Sequence, residues 1–154
     1  MVVNSNFTGV LKKFSGTLWY LVKFGCVTHC VMEYFGDFVF CTGPSMEPTI
    51  YTNNVVISDQ MSVWMKRIDK GDIVIAKLPH DRNQLICKRV TGLPGDRVWA
   101  GYSYQKVPRG HVWLEGDNKK NSTDSREYGP IPQGLLRGKV ICRIWPLNDL
   151  KIFS

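Results

Sequence analysis

What this 154-residue chain lacks narrows its reading before any motif is considered. It has no CxxC pair. Its five cysteines, Cys26, Cys30, Cys41, Cys87 and Cys142, form an odd set with neither zinc-ribbon spacing nor a complete disulfide framework. Most are expected as small buried residues. Cys26 and Cys30 would share a helix face, and an oxidising compartment could pair some of the five. Histidines number only three, and His29, His80 and His111 show no arrangement that suggests a triad. No uncharged apolar run reaches the ~18 residues of an ordinary transmembrane helix. Basic residues are not interleaved with a run of stacking aromatics, which argues against a nucleic-acid surface. Internal repeats and low-complexity segments are absent.

Charge of one sign is also missing locally. Up to Gly25 there are Lys12, Lys13 and Lys23 and no acid; from Cys26 to Met65 there are Glu33, Asp37, Glu47 and Asp59 and no Lys or Arg. That switch lies in an apolar stretch, residues 11–40, and orients a membrane segment with its basic end retained on the side of synthesis or import. The net charge of +7 is thus partly topological. Residues 11–40 are read as one anchor helix in which Lys23 snorkels or meets a partner helix. A buried amphipathic helix of a soluble domain is the alternative. The expected division is a tail and anchor over residues 1–40 and a folded domain over residues 41–154.

What is present after Cys41 is a mainly β texture. Apolar residues make up 44% of the chain, and 14 glycines and 8 prolines punctuate short runs. Strands are expected at residues 55–58, 72–78, 84–91, 97–100, 111–115 and 139–145, with turn chemistry between them. Met61, Val63, Trp64 and Met65 form an apolar cluster suited to the bilayer or to the core.

Ser45 sits in Gly43-Pro44-Ser45-Met46-Glu47-Pro48-Thr49, a loop stiffened by two prolines, in which Gly43 lets another backbone approach. Such a loop can present a hydroxyl at a fixed angle, although alone it reads as an ordinary turn. In Leu85-Ile86-Cys87-Lys88-Arg89-Val90 the period of two puts Lys88 with Ile86 and Val90, and Cys87 and Arg89 on the other face. A lysine on a buried face loses solvation of its charged form and becomes a base near neutral pH. A lysine that snorkels out at the strand end fits the same pattern. The loop from Gly116 to Arg126 concentrates short polar side chains: Asp124 and Arg126 can pair, and Ser122 can orient a neighbouring amine. Two acids and two lysines make a poor calcium site.

In this order, Ser45-Met46-x-Pro48-Thr49, Gly71-Asp72-Ile73-Val74, Lys88-Arg89-Val90-x-Gly92-x-Pro94-Gly95-Asp96 and Gly116-Asp117-Asn118 through Ser122-x-Asp124-Ser125-Arg126 resemble the signal peptidase I family over about two-thirds of the chain. The segments from Gly25 to Cys30 and from His111 to Asn118 look like the mitochondrial branch of that family. The resemblance implies a signal-peptidase-like β-barrel or sheet domain behind one N-terminal helix. It implies a serine endopeptidase in which Ser45 attacks, Lys88 is the base, Ser122 steadies Lys88, and Asp124 and Arg126 support the site. No cofactor or metal is implied. The implied setting is the mitochondrial inner membrane and its lipid, with the basic tail in the matrix and the catalytic domain in the intermembrane space. Implied partners are precursor proteins with sorting sequences and a related second catalytic subunit. Substrate would bind extended, as an added strand between the segment leading into Ser45 and the strand of Lys88.

One departure stands out. Where many bacterial relatives carry a serine two residues before the nucleophile, this chain has Gly43, and Pro44 has no N–H. The oxyanion hole then rests on the Ser45 backbone N–H and a second donor left open. A bacterial-type enzyme at a plasma membrane, an inactive supporting subunit, and a non-catalytic basic module for RNA or anionic lipid are the competing readings.

Overall fold

The structure, a computed structural model, describes residues 16–30, 36–81 and 83–153. It divides the chain into two compact units that meet between Phe35 and Gly36.

In the first unit residues 16–30 form helix α1. Leu18, Trp19, Tyr20, Leu21, Val22, Phe24 and Val27 are all exposed on it. The Lys23 amine lies 5.0 Å from the centroid of the Trp19 ring, a cation–π contact that settles the charge on its own helix. Among the described residues no helix is long and apolar enough to cross a membrane. Residues 1–15 and 31–35 of the expected anchor lie outside the described residues.

The second unit is mainly β. Its elements are β1 (Asp37–Phe40), β2 (Val55–Asp59), α2 (Gln60–Trp64), β3 (Ile73–Lys77), β4 (Leu85–Gly92), β5 (Arg97–Trp99), β6 (Tyr104–Lys106), β7 (His111–Glu115), α3 (Ser125–Tyr128), β8 (Ile131–Pro132), β9 (Leu136–Trp145) and β10 (Lys151–Ile152). An eight-stranded antiparallel sheet runs in the order β1-β2-β9-β3-β4-β7-β8, with β10 alongside β9, and it curls into a half-barrel; β5 and β6 form a separate hairpin. Antiparallel pairing needs only short connections, which the turn-rich sequence supplies.

The curl puts hydrophobic residues on both faces of β3. Val74 and Ala76 join Val90, Leu114 and Ile131 in one cluster, while Ile73 and Ile75 join Met46, Ile50, Val56 and Val140 in the other. The unbroken apolar run Ile73-Val74-Ile75-Ala76 is the sequence mark of a strand buried on both sides. The hairpin is held by Val98, Ala100, Val107 and Trp113. At Gly92 a Cβ would stand 2.6 Å from Val98 Cγ1 and 3.1 Å from Trp113 Cβ, so the hairpin approaches β4 only because that position is glycine.

All six expected strands are present, with ends shifted by up to three residues. Strands β1, β6, β8 and β10 were not expected. Asp37–Phe40, which the sequence places in the anchor segment, pairs with Ser58–Val55 in the sheet and lies in the second compact unit, which starts at Gly36. The apolar texture of Phe38-Val39-Phe40 continues that of the preceding helix and conceals the change of period. The cluster around α2 divides: Val63 packs on the core, whereas Trp64 and Met65 are exposed.

Ile75→Ala is expected to cost about 2–5 kcal/mol by opening a cavity beneath β3, and Phe40→Ser, on an exposed side chain, less than about 0.5 kcal/mol. Urea midpoints of the two variants test this; equal midpoints would contradict the placement of the core.

Candidate active site

The site is best followed outward from Lys88. Its register opposite Val74 puts it on the same face as Val90, towards the first hydrophobic cluster, and only 4% of it is exposed. Burial lowers the pKa of its amine below the ordinary lysine value, and the nearby Asp124 charge offsets this only in part. Lys88 Nζ donates to Ser122 Oγ at 2.9 Å, and Ser122 Oγ donates to Asp124 Oδ2 at 2.8 Å. A serine has one proton to give. Because Ser122 spends it on Asp124, it faces Lys88 as an acceptor and binds one N–H of the amine.

Asp124 is fully buried. Burial would raise its carboxyl pKa, but hydrogen bonds from Arg126, the Gly116 N–H and Ser122 outweigh this and hold it below the usual carboxylate value. Arg126 Nε donates to Oδ1 and Nη2 to Oδ2, both at 2.8 Å, and the Gly116 N–H reaches Oδ2 at 3.0 Å. Asp124 also caps the short helix α3 through the Arg126 N–H. A charged carboxylate, a guanidinium and a hydroxyl therefore form one fixed support under the Lys88 amine.

Ser45 comes from the loop between β1 and β2. Gly43 has φ +90, a conformation that favours glycine. A Cβ there would meet nothing within 4 Å. Its role is therefore the turn, not the close backbone approach expected from sequence. The close approach falls at Gly116 instead, where a Cβ would stand 2.5 Å from Ser45 O and 2.6 Å from Ser122 Cβ. The next residues complete a clasp on the loop. The Asn118 N–H donates to Ser45 O at 3.0 Å and Asn118 Nδ2 to Pro44 O at 3.1 Å. Asp117 accepts from Arg89 Nε and Nη2 at 2.8 and 2.6 Å, a bidentate pair that ties the clasp to β4. At the far end Arg143, buried, donates to Thr49 O at 2.9 Å and to Asn54 Oδ1 at 3.3 Å. Met46, next to Ser45, is buried in the second cluster.

These elements enclose a cleft of about 820 Å³ lined by Asp37–Gly43, Ser45, Met46 and, opposite, Gln84–Lys88. Its two walls are strand edges. β1 ends the sheet, and β7 pairs with β4 only from Arg89 onward. Among the described residues, then, β1 and the Leu85–Lys88 part of β4 each have one unpaired edge on this cleft, which suits an extended peptide lying between them. Ser45 and Lys88 share the cleft, although no hydrogen bond joins their side chains among the described residues. Likewise no group among them accepts the Ser45 N–H.

The structure thus assembles five residues singled out from sequence: Ser45 and Lys88 on one cleft, with Ser122, Asp124 and Arg126 behind the amine. It adds Gly116, Asn118, Arg89, Asp117 and Arg143, whose tasks require contacts across up to 94 residues of chain. His80 lies in an exposed loop and His111 Nδ1 faces Arg109 O at 3.1 Å.

A curled antiparallel sheet with a loop serine and a buried lysine on one peptide-sized cleft is in keeping with a protease of the signal-peptidase type. The chain belongs to that family: the family described as signal peptidase, peptidase S26, matches residues 17–103 and 99–145. It is 51% identical over 149 residues to mitochondrial inner membrane protease subunit 1 of Homo sapiens, covering 92% of this chain and 89% of the relative. With subunit 1 of Saccharomyces cerevisiae the identity is 37% over 152 residues, 86% and 80% of the two chains. Subunit 2 of the same yeast protease is also similar, at 37% over 125 residues and 71% of each chain.

Gly116→Ala is expected to push the Ser45 loop and Ser122 apart and to lower proteolysis on the order of 100-fold, with the far-ultraviolet circular dichroism of the β unit retained. Proteolysis at the wild-type level would show that the close approach is not needed.

Proposed function

We propose that this chain is a membrane-bound endopeptidase of the mitochondrial inner membrane that removes sorting sequences from precursors delivered to the intermembrane space, with Ser45 as nucleophile and Lys88 as general base. The observation that carries this reading is the buried Lys88 amine, supported from behind by Ser122 on the same cleft as Ser45. Relatives named as mitochondrial inner membrane proteases favour the compartment. The excess of lysine before Gly25 favours a matrix tail and a catalytic unit in the intermembrane space. Exposed apolar side chains of α1 favour contact with membrane lipid. Relatives named subunit 1 and subunit 2 favour a second, related catalytic subunit as partner.

In this mechanism a precursor segment enters the cleft as a strand between β1 and the free edge of β4, which sets its scissile carbonyl over Ser45. Neutral Lys88 gives one N–H to Ser122 and turns its lone pair to the Ser45 hydroxyl. It takes that proton as Oγ attacks. The tetrahedral oxyanion is met by the Ser45 backbone N–H. The Lys88 ammonium then protonates the leaving amine, and water, deprotonated by the same lysine, releases the acyl group from Ser45. Base catalysis requires the neutral amine, so kcat/KM rises with pH through the lowered Lys88 pKa, below the ~10.4 of an ordinary lysine.

In mitochondria or a reconstituted membrane, Ser45→Ala and Lys88→Met are each expected to reduce cleavage of an intermembrane-space precursor at least on the order of 1000-fold. Full cleavage by either variant overturns the proposal.

A further inference from the structure

The catalytic reading leaves two nucleophilic groups of the cleft unused. Cys41 lies four residues before Ser45 and Cys87 immediately before Lys88, and both line the same cavity as that serine and lysine. Cys41 is buried in the second hydrophobic cluster and Cys87 packs against it. The two thiols are free, and each perturbs the ionisation of the other. One follows directly on β1 and the other stands on the unpaired edge of β4, so one thiol stands on each wall of the slot.

We propose that Cys41 and Cys87 form a dithiol modification site in the cleft, which a small disulfide such as glutathione disulfide converts into a disulfide that excludes the substrate strand. The consequence for cleavage rests on the proteolytic reading above; the bond itself does not.

The geometry makes the two states compete. A strand paired on both sides needs its neighbours about 4.8 Å away in each direction, or walls roughly 9–10 Å apart. A disulfide holds its two Cα atoms within about 6.8 Å. Closing the bond therefore narrows the slot below the width of an added strand, beside Ser45 and Lys88.

The exchange proceeds in two displacements. Cys41 attacks one sulfur of glutathione disulfide as its thiolate, and one glutathione thiolate leaves. Cys87, deprotonated, then attacks the Cys41 sulfur of the mixed disulfide and expels the second glutathione thiolate. Both thiol protons pass through solvent to the departing thiolates, and the two electrons lost by the cysteine pair reduce one glutathione disulfide to two glutathiones. The neighbouring Cys87 side chain favours the Cys41 thiolate against the cost of its burial, and the neighbouring Cys41 together with burial raises the Cys87 thiol above its ordinary value.

The test uses the full-length chain in membranes, with Cys26, Cys30 and Cys142 replaced by serine. After incubation with glutathione disulfide, peptide mapping is expected to show a Cys41–Cys87 bond. Precursor cleavage is expected to fall at least tenfold and to return with dithiothreitol. Further replacement by Cys87→Ser or Cys41→Ser should abolish the sensitivity, read as the ratio of oxidised to reduced activity within each variant. Alkylation of both thiols after the oxidant treatment, or a mapped bond with unchanged cleavage, overturns the proposal. Failure of the catalytic reading shows differently, as cleavage by the reduced Ser45→Ala chain.

Discussion

A primary amine held almost out of water is the constraint on which the rest of the site depends. Lys88 is 4% exposed, and a buried ammonium is costly unless it sheds its proton or finds compensating charge. The protein provides one hydroxyl contact and charges at a distance, with no direct ion pair to Lys88 among the described residues. Asp124 reaches the amine only through Ser122, while its own charge is balanced by Arg126. A carboxylate touching Lys88 would hold it protonated. With a hydroxyl interposed and a guanidinium at the carboxylate, the amine is oriented yet remains below the ordinary lysine value.

The same economy explains why distant segments converge. Gly116 is bare so that the Ser45 loop and Ser122 can come together, and its N–H is spent on Asp124. Asp117 ties to Arg89 on β4, and Asn118 holds the backbone of Pro44 and Ser45. Three consecutive residues thus link the lysine strand, the serine loop and the charged support. The cleft follows from sheet topology: β1 ends the sheet and β7 leaves β4 before Lys88, so among the described residues two edges stay open around Ser45 and Lys88.

Much of this was legible in the sequence, for identifiable reasons. Alternation in Leu85–Val90 placed Lys88 on a buried face because a strand has a strict period of two, and burial of Val90 and Lys88 follows it. The six longer strands were found through their β-branched runs. The β1 strand was missed because its apolar residues continue the texture of the helix before it, and β8 and β10 because two residues carry no period. Gly43 and Gly116 show the limit most clearly. Both stand in motifs, but whether a glycine serves a turn or a close approach depends on what lies next to it in space, and Gly116 meets a loop some 70 residues earlier.

The account turns on the protonation state of one amine, which can be read directly. Lysine labelled with nitrogen-15 at Nζ, assigned at Lys88 by comparison with Lys88→Met, gives its titration in the intact protein. The account predicts a midpoint below the ordinary lysine value of ~10.4, and a shift that moves when Ser122 is replaced by alanine. A Lys88 that titrates at or above the ordinary lysine value would contradict it.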